Sequence, residues 1–245
     1  MSGTWDPIPG TYIKMLKAIA LDFNGVIVDD ELVHYRLIRD LVAPLGITVT
    51  EADYFEKYVV YRDDEAFQRV LADAGRSASP EVVERLVQEK RRRYLTEVLR
   101  DLRVCPGVRE FIPAAAAAYP LAVVSGAARA EIEAILEHIG LRSYISVLVG
   151  AEDVTDGKPA PDPYIEAVRR LRSRVPGLRP SEVLAVEDTP GGIQAARQAG
   201  LRTAAVLTTF PAEALRNADL ILWEGFERFP WVQVHLLFEQ TEETE

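Results

Sequence analysis

Short apolar segments alternate with amphipathic stretches over most of the chain. The apolar segments have the length and the β-branched composition of buried strands, and they lie at 18–21, 121–124, 147–149, 183–186, 203–206 and 220–222. Helical patterns separate most of them, at 106–118, 128–139, 162–172 and 191–199. This alternation predicts an α/β fold with a mostly parallel sheet that is covered on both faces. The carboxyl ends of such strands lie along one edge of the sheet.

Residues 31–100 interrupt this alternation, because they contain no convincing pattern of a buried strand. Leucines at 37, 41 and 45 predict one amphipathic helix, and further helices are predicted around 67–71 and from 83 to 98. We therefore predict a helical cap at 31–100, a core at 17–30 and 101–245, and an N-terminal extension at 1–16. The cap follows the loop after the first strand, which favours a lid over the site; a helical decoration without a gating role is the alternative.

Composition narrows the function. A chain of 245 residues with 48% hydrophobic residues can form one ordinary domain with a smaller insertion. The net charge of −10 argues against nucleic acid as a partner, and no apolar run approaches the ~20 residues of a membrane span. Cys105 is the single cysteine, which excludes an intrachain disulfide and favours the cytoplasm. We expect a small-molecule substrate and a monomer or homodimer.

Polar residues with chemical potential follow the predicted strands in order. Asp22 follows the first strand, the pair Ser125 and Gly126 follows the second, Lys158 lies after the third, and Glu187 and Asp188 follow the fourth. Each signal is weak alone, since a Ser-Gly pair is usually a helix cap and an acidic pair usually faces solvent. At successive ends of parallel strands they converge on one place.

This set of residues fits phosphoryl transfer. A carboxylate that attacks a phosphate dianion meets charge repulsion, which a Mg²⁺ ion with oxygen ligands relieves. Asp188, with Glu187 near it, would help to hold the ion alongside Asp22, and Lys158 would neutralise charge near the phosphoryl group. The Ser125 hydroxyl and the backbone N–H groups at the following helix start would bind phosphoryl oxygens.

The same residues carry a resemblance to a known family. The run from Asp22 to Glu31, followed by His34, resembles the first motif of the haloacid dehalogenase superfamily, in its phosphatase and β-phosphoglucomutase-like branch with a helical cap. Residues 157–164 and 186–200 are similar to its third and fourth motifs. The resemblance implies a Rossmann-like core, a Mg²⁺ ion, an aspartyl-phosphate at Asp22, and a metal bond from the backbone carbonyl of Asn24.

Asn24 departs from the family pattern. In the family's phosphatases this position is an Asp that protonates the leaving oxygen and later deprotonates water, and losing such help typically costs ~10²–10⁴-fold in rate. A good leaving group would need no acid. Alternatively, His34 or Asp30 would substitute, or Asn24, which precedes Gly25, would deamidate in part of a preparation.

Other residues leave alternatives open. Arg62 is either a substrate contact of the cap or part of a surface ion pair, and Arg129, where the mutases have an Asn, either binds an anion or is simply exposed to solvent. His34 is interpreted as a cap-hinge or substrate group. Trp223 and Trp231 are predicted to pack the C-terminal part of the chain on the core.

The sequence thus favours a Mg²⁺-dependent phosphatase of a small phosphorylated metabolite, slowed by Asn24. A phosphomutase is the enzymatic alternative. The non-enzymatic alternative is a module that binds Mg²⁺ and phosphate without useful turnover.

Overall fold

The computed structural model describes residues 16–59, 61–100 and 102–239, and within them a parallel sheet forms the centre of the fold. Its strands are β1 (Ala18–Leu21), β2 (Leu121–Val124), β3 (Ile145–Val149), β4 (Val183–Glu187), β5 (Arg202–Val206) and β6 (Leu220–Leu222). They pair in the order β3-β2-β1-β4-β5-β6, and every pairing is parallel. The predicted α/β fold is confirmed, and β1 lies between β2 and β4.

Successive residues of β1 serve opposite faces of the sheet, as the pleat requires. Ile19 and Leu21 belong to the main apolar cluster on one face, whereas Ala18 and Ala20 belong to the cluster on the other. All residues of β1, β2 and β4 are buried. This two-sided burial is why these strands read as continuous apolar runs.

Helices cover both faces of the sheet. They are α5 (Val108–Ala116), α6 (Arg129–His138), α7 (Asp162–Leu171) and α8 (Pro190–Gln198), followed after β6 by α9 (Trp231–Glu239). Helix α8 begins where the sequence directs it, because the Thr189 hydroxyl accepts a 3.0 Å hydrogen bond from the Gly192 N–H and Pro190 occupies the first helical turn.

The segment between β1 and β2 is helical, as predicted. It contains α1 (Glu31–Val42), α2 (Glu51–Asp53), which continues as a π-helix at Tyr54–Tyr58, then α3 (Asp63–Asp73) and α4 (Pro80–Arg100). The π-helical turn was not predicted. These helices share an apolar cluster of their own. Val33 and Leu37 of α1 and Tyr94 and Val98 of α4 belong instead to the core cluster, so these two helices join the cap to the core.

The two C-terminal tryptophans differ. Trp231 stacks on Phe111 with ring centroids 5.8 Å apart, which confirms its predicted packing. Trp223 is 73% exposed, so the same prediction for Trp223 is wrong. It lies in the turn directly after β6, the edge strand of the sheet, and therefore points away from the core.

Three further expectations meet the structure as follows. The predicted N-terminal extension lies outside the described residues except for Leu16, which is buried. Cys105 is a buried free thiol, and burial raises its pKa to about 12. Among the described residues no helix combines the length and apolar character that crossing a bilayer requires.

Candidate active site

Asp22 is the first residue after β1 and stands between the two neighbouring strands. Its backbone N–H donates to the Val186 carbonyl at 2.9 Å, which fixes it at the carboxyl edge of β4. The turn that follows requires Gly25, whose φ is +73°. A Cβ at that position would also lie 1.8 Å from Oδ2 of Asp188. Gly25 thus lets the loop after β1 approach the acidic end of β4.

Lys158 ties three strand ends together. Its Nζ lies 2.6 Å from Oδ1 of Asp22, 2.6 Å from Oε1 of Glu187 and 2.9 Å from the carbonyl oxygen of Val124. The side chain is 16% exposed, and the carboxyl of Glu187 is fully buried. The fold therefore brings Lys158 together with Asp22, after β1, and with Glu187, at the end of β4.

Glu187 is held on all sides by hydrogen bonds. Besides Lys158, it accepts from the Tyr164 hydroxyl at 2.5 Å and from the Thr189 hydroxyl at 3.4 Å. A Cβ on Gly192 would lie 2.0 Å from its carboxyl group, so that glycine makes room for it under the start of α8. These contacts make Glu187 a positioning group for Lys158.

Asp188 presents the unsatisfied acceptor of the site. One oxygen accepts from the Thr209 hydroxyl, whereas Oδ1 is buried and has no hydrogen-bond partner among the described residues. Thr209, beyond the end of β5, was missed by the sequence reasoning, although a hydroxyl after a fifth strand end on the same edge was a usable signal.

The cluster carries more negative charge than Lys158 neutralises. Asp22, Glu187 and Asp188 each place an oxygen within 4.8 Å of the others. Burial raises the pKa of Asp22 to about 7, although Lys158 opposes the shift, and burial together with the neighbouring Asp22 raises the pKa of Asp188. Hard oxygen donors with excess negative charge and an unpartnered oxygen fit a divalent cation such as Mg²⁺.

Ser125 lies beside Asp22, at the end of β2. Its buried hydroxyl donates to Oδ1 of Asn24 at 3.3 Å and accepts from the Ala127 N–H at 3.1 Å. Helix α6 starts later, at Arg129, and the Arg129 N–H donates to Glu152. That first helical N–H is therefore already used. Ser125 and Gly126 remain predicted phosphate-binding residues. The space around Gly126 is open, since a Cβ there would meet no atom within 4 Å.

Asn24 faces a buried polar network that joins core and cap. Its Nδ2 donates to Oδ2 of Asp30 at 2.7 Å, and the same oxygen is bonded by His34 Nε2 at 3.1 Å and by the Tyr94 hydroxyl. Lys90 Nζ lies 2.6 Å from Nδ1 of His34 and also binds Asp63 at the start of α3. His34 is thus linked to Asn24 through Asp30.

The two predicted cap and substrate arginines are placed in ion pairs. Arg62 is 61% exposed, with Nε 3.6 Å from Oδ1 of Asp64, which is the surface-pair alternative. Arg129 is 32% exposed and binds Asp153, so it is not simply open to solvent. Their contacts with a substrate stay predictions.

Sequence similarity assigns the chain to a protein family. The family model described as "Haloacid dehalogenase-like hydrolase" matches residues 19–206. This chain belongs to that family. The match contains Asp22, Lys158, Glu187 and Asp188, which form the acidic cluster and its lysine, and the resemblance drawn from the motifs is confirmed.

Curated relatives agree. Validoxylamine A 7'-phosphate phosphatase of Streptomyces hygroscopicus subsp. limoneus is 39% identical over 46% of this chain, which spans 51% of that protein. Protein CbbY of Rhodobacter capsulatus is 30% identical over 83% of this chain and 89% of its own length. Fructose-1-phosphate phosphatase YqaB of Escherichia coli is 27% identical over 75% of this chain and 92% of its own.

Solved structures show the same fold. The crystal structure of CbbY from Rhodobacter sphaeroides in complex with phosphate has a TM-score of 0.76 and 25% identity, and covers 88% of this chain and 97% of that one. β-Phosphoglucomutase from Clostridium difficile has a TM-score of 0.79 at 20% identity, and covers 92% and 98% of the two chains. The second likeness shows the fold alone.

Replacing Lys158 with an uncharged residue should lower the free energy of unfolding strongly. In Lys158→Met the carboxylates of Asp22 and Glu187 lose their shared partner, and breaking a buried ion pair costs about 3–5 kcal/mol. Urea unfolding without metal at neutral pH would measure this change in the free energy of unfolding. The matched control is Lys57→Met, because the exposed pair of Lys57 with Asp53 is worth about 0–1 kcal/mol. Equal losses in the two variants would contradict the structural role of Lys158.

Mg²⁺ should raise the melting temperature of the wild-type protein, since a ligand that binds the folded state alone stabilises it by mass action. The same titration on Asp188→Asn should give a smaller shift, because that variant loses one carboxylate of the cluster. Asp64→Asn, on the cap surface, serves as the control and should respond as the wild type does. If Mg²⁺ leaves the melting temperature of the wild type unchanged, the cation site is ruled out.

Proposed function

We propose that the protein is a Mg²⁺-dependent phosphatase that hydrolyses a small phosphorylated metabolite through an aspartyl-phosphate at Asp22. One observation carries the proposal. Asp22 is held at the edge of the sheet by Lys158, next to the unpartnered buried oxygen of Asp188. A carboxylate nucleophile, a fixed cation and a carboxylate able to bind a metal are the parts that phosphoryl transfer to an aspartate requires.

The metal ligands of this proposal are Asp22, the backbone carbonyl of Asn24, and Asp188, with Glu187 near the ion. The ion, when bound, supplies the positive charge that lets a carboxylate approach a phosphate dianion. Glu187 contributes chiefly by holding Lys158, because its oxygens are already engaged by that lysine and by Tyr164.

Protein groups perform the rest of the binding. Lys158 offsets charge on the nucleophile and on the phosphoryl oxygens near it. Ser125 and Gly126 bind the phosphoryl oxygens from the end of β2. Positioning and electrostatics of this kind supply most of the catalysis in phosphoryl transfer.

The cap selects the substrate in this proposal. Helices α1 and α4 anchor it on the core beside Asn24. His34 and Arg62 are its candidate substrate contacts, and Arg129 at the start of α6 is a candidate contact from the core. The names of the relatives favour a small phosphorylated compound as substrate, and the phosphate complex of CbbY supports a phosphate site in this fold. The single buried cysteine favours the cytoplasm as the location.

Replacing the nucleophile tests the proposal. Asp22→Asn should reduce phosphate release from a panel of phosphorylated metabolites to the background level, because an amide does not form the aspartyl-phosphate. Phosphate release with Mg²⁺ and with EDTA, together with the intact mass of acid-quenched protein, would measure both turnover and phosphorylation. Asp40→Asn, at an exposed residue of α1 that pairs with Arg39, is the control that should retain wild-type activity. An Asp22→Asn protein as active as the wild type would assign the activity elsewhere.

A further inference from the structure

The Asn24 carboxamide is fixed in one orientation. Its Nδ2 donates to Asp30 at 2.7 Å, and its Oδ1 accepts from the Ser125 hydroxyl at 3.3 Å. Ser125 follows β2, the strand that pairs with β1, whereas Asp30 is 1% exposed. The carbonyl oxygen of the amide is therefore the end that is turned toward Ser125, at the strand end next to that of Asp22.

The reverse orientation is unfavourable for an electrostatic reason. Turning the amide over would place its carbonyl oxygen against the buried carboxylate of Asp30, where two acceptors would meet without a proton between them. Asp30 thus acts as a lock that keeps the amide donor away from the phosphoryl site.

The neighbouring proton donors, His34 and Tyr94, also point toward Asp30. His34 Nε2 and the Tyr94 hydroxyl both bind Oδ2 of Asp30. Lys90 is engaged by Nδ1 of His34 and by Asp63. Asn24, His34 and Tyr94 all bond to this one oxygen, so Oδ2 of Asp30 is an acceptor. Thus His34 and Tyr94 point at Asp30, Lys90 points at His34 and Asp63, and none of these three side chains has a described bond to Asp22.

This arrangement decides which bonds can be broken. Attack by the Asp22 oxygen forms an O–P bond, and the leaving oxygen departs with the electron pair of its bond to phosphorus. An alcohol oxygen departs as a strongly basic alkoxide unless it receives a proton, and Asn24 has none to give. A carboxylate, enolate or phenolate departs as a stable anion and needs none. Hydrolysis of the aspartyl-phosphate by water then returns the Asp22 carboxylate and leaves both water protons on dihydrogen phosphate.

We propose that the Asp30 lock on Asn24 restricts this enzyme to phosphoryl donors whose leaving group departs as a stable anion, namely acyl, enol or phenol phosphates, and disfavours phosphate esters of ordinary alcohols. The inference rests on the proposed function and specifies its substrate class. Asp30 is a positioning residue in this account, and Asn24 supplies an acceptor, not a proton.

Phenyl phosphate and benzyl phosphate test the inference as a matched pair, because they are similar in shape but release a phenol and an alcohol. The wild type should favour phenyl phosphate in kcat/KM by at least about 10²-fold, the lower size of a general-acid contribution. Acetyl phosphate, an acyl donor, should be hydrolysed as well.

The decisive variant exchanges the two side chains, Asn24→Asp with Asp30→Asn. The exchange keeps the net charge and moves the carboxyl group to the side of Ser125. The preference for phenyl over benzyl phosphate should fall by about 10²-fold or more. Asn24→Asp alone is a second variant, which places a carboxyl group at position 24 while Asp30 keeps its bonds to His34 and Tyr94.

Each outcome is decisive. A wild type that hydrolyses both esters equally well overturns the inference and leaves the phosphatase proposal intact, and that measurement needs no variant to fold. A preference that the folded exchange variant leaves unchanged also overturns it. If no donor is hydrolysed by the wild type above the level of Asp22→Asn, the proposed function fails, and the inference fails with it.

Discussion

The ion pair between Lys158 and the two carboxylates of Asp22 and Glu187 is the contact on which the site depends. It joins the carboxyl ends of β1 and β4 and, through the Val124 carbonyl, the end of β2. Two buried carboxylates so close together would repel each other strongly without it. The surrounding residues serve this contact. The Tyr164 hydroxyl donates to Glu187, and Gly192 leaves space for that side chain. Glu187 in turn holds Lys158 against Asp22.

The same site is incomplete in charge. Lys158 offsets one of the carboxylates, and Asp188 is left with a buried oxygen that has no partner in the described structure. An arrangement of this kind is costly in an apolar surrounding unless a cation completes it. The acidic cluster, more than any single residue in it, is why a divalent ion belongs to the proposed chemistry.

Asp30 gives the site its individual character. The chain has an amide where its family's phosphatases have a second carboxylate, and it has a carboxylate buried six positions later that binds that amide. The hydrogen bonds of His34 and Tyr94 converge on the same carboxylate, so the interface of α1 and α4 is coupled to the loop after β1. A polar network therefore connects the cap to the loop that carries Asn24.

The sequence by itself determined the strands, the helical insertion and the edge at which the chemistry gathers. Strands β1 and β2 begin and end at their predicted residues, because burial on both faces demands uninterrupted apolar runs with polar residues only beyond their ends. The partly buried edge strand β6 also has its predicted bounds. Since the strands are parallel, their order along the chain was enough to bring Asp22, Lys158 and Glu187 to one place.

The tertiary structure alone decided what each polar group does there. That Glu187 holds Lys158, that Thr209 binds Asp188, and that Arg129 is paired with Asp153 follow from side-chain contacts between distant segments. The orientation of Asn24 is of the same kind, because a carboxamide reads identically in the sequence whichever end faces the nucleophile. A hydrogen bond to a buried carboxylate selects one of its two rotations, and that bond exists only in the folded chain.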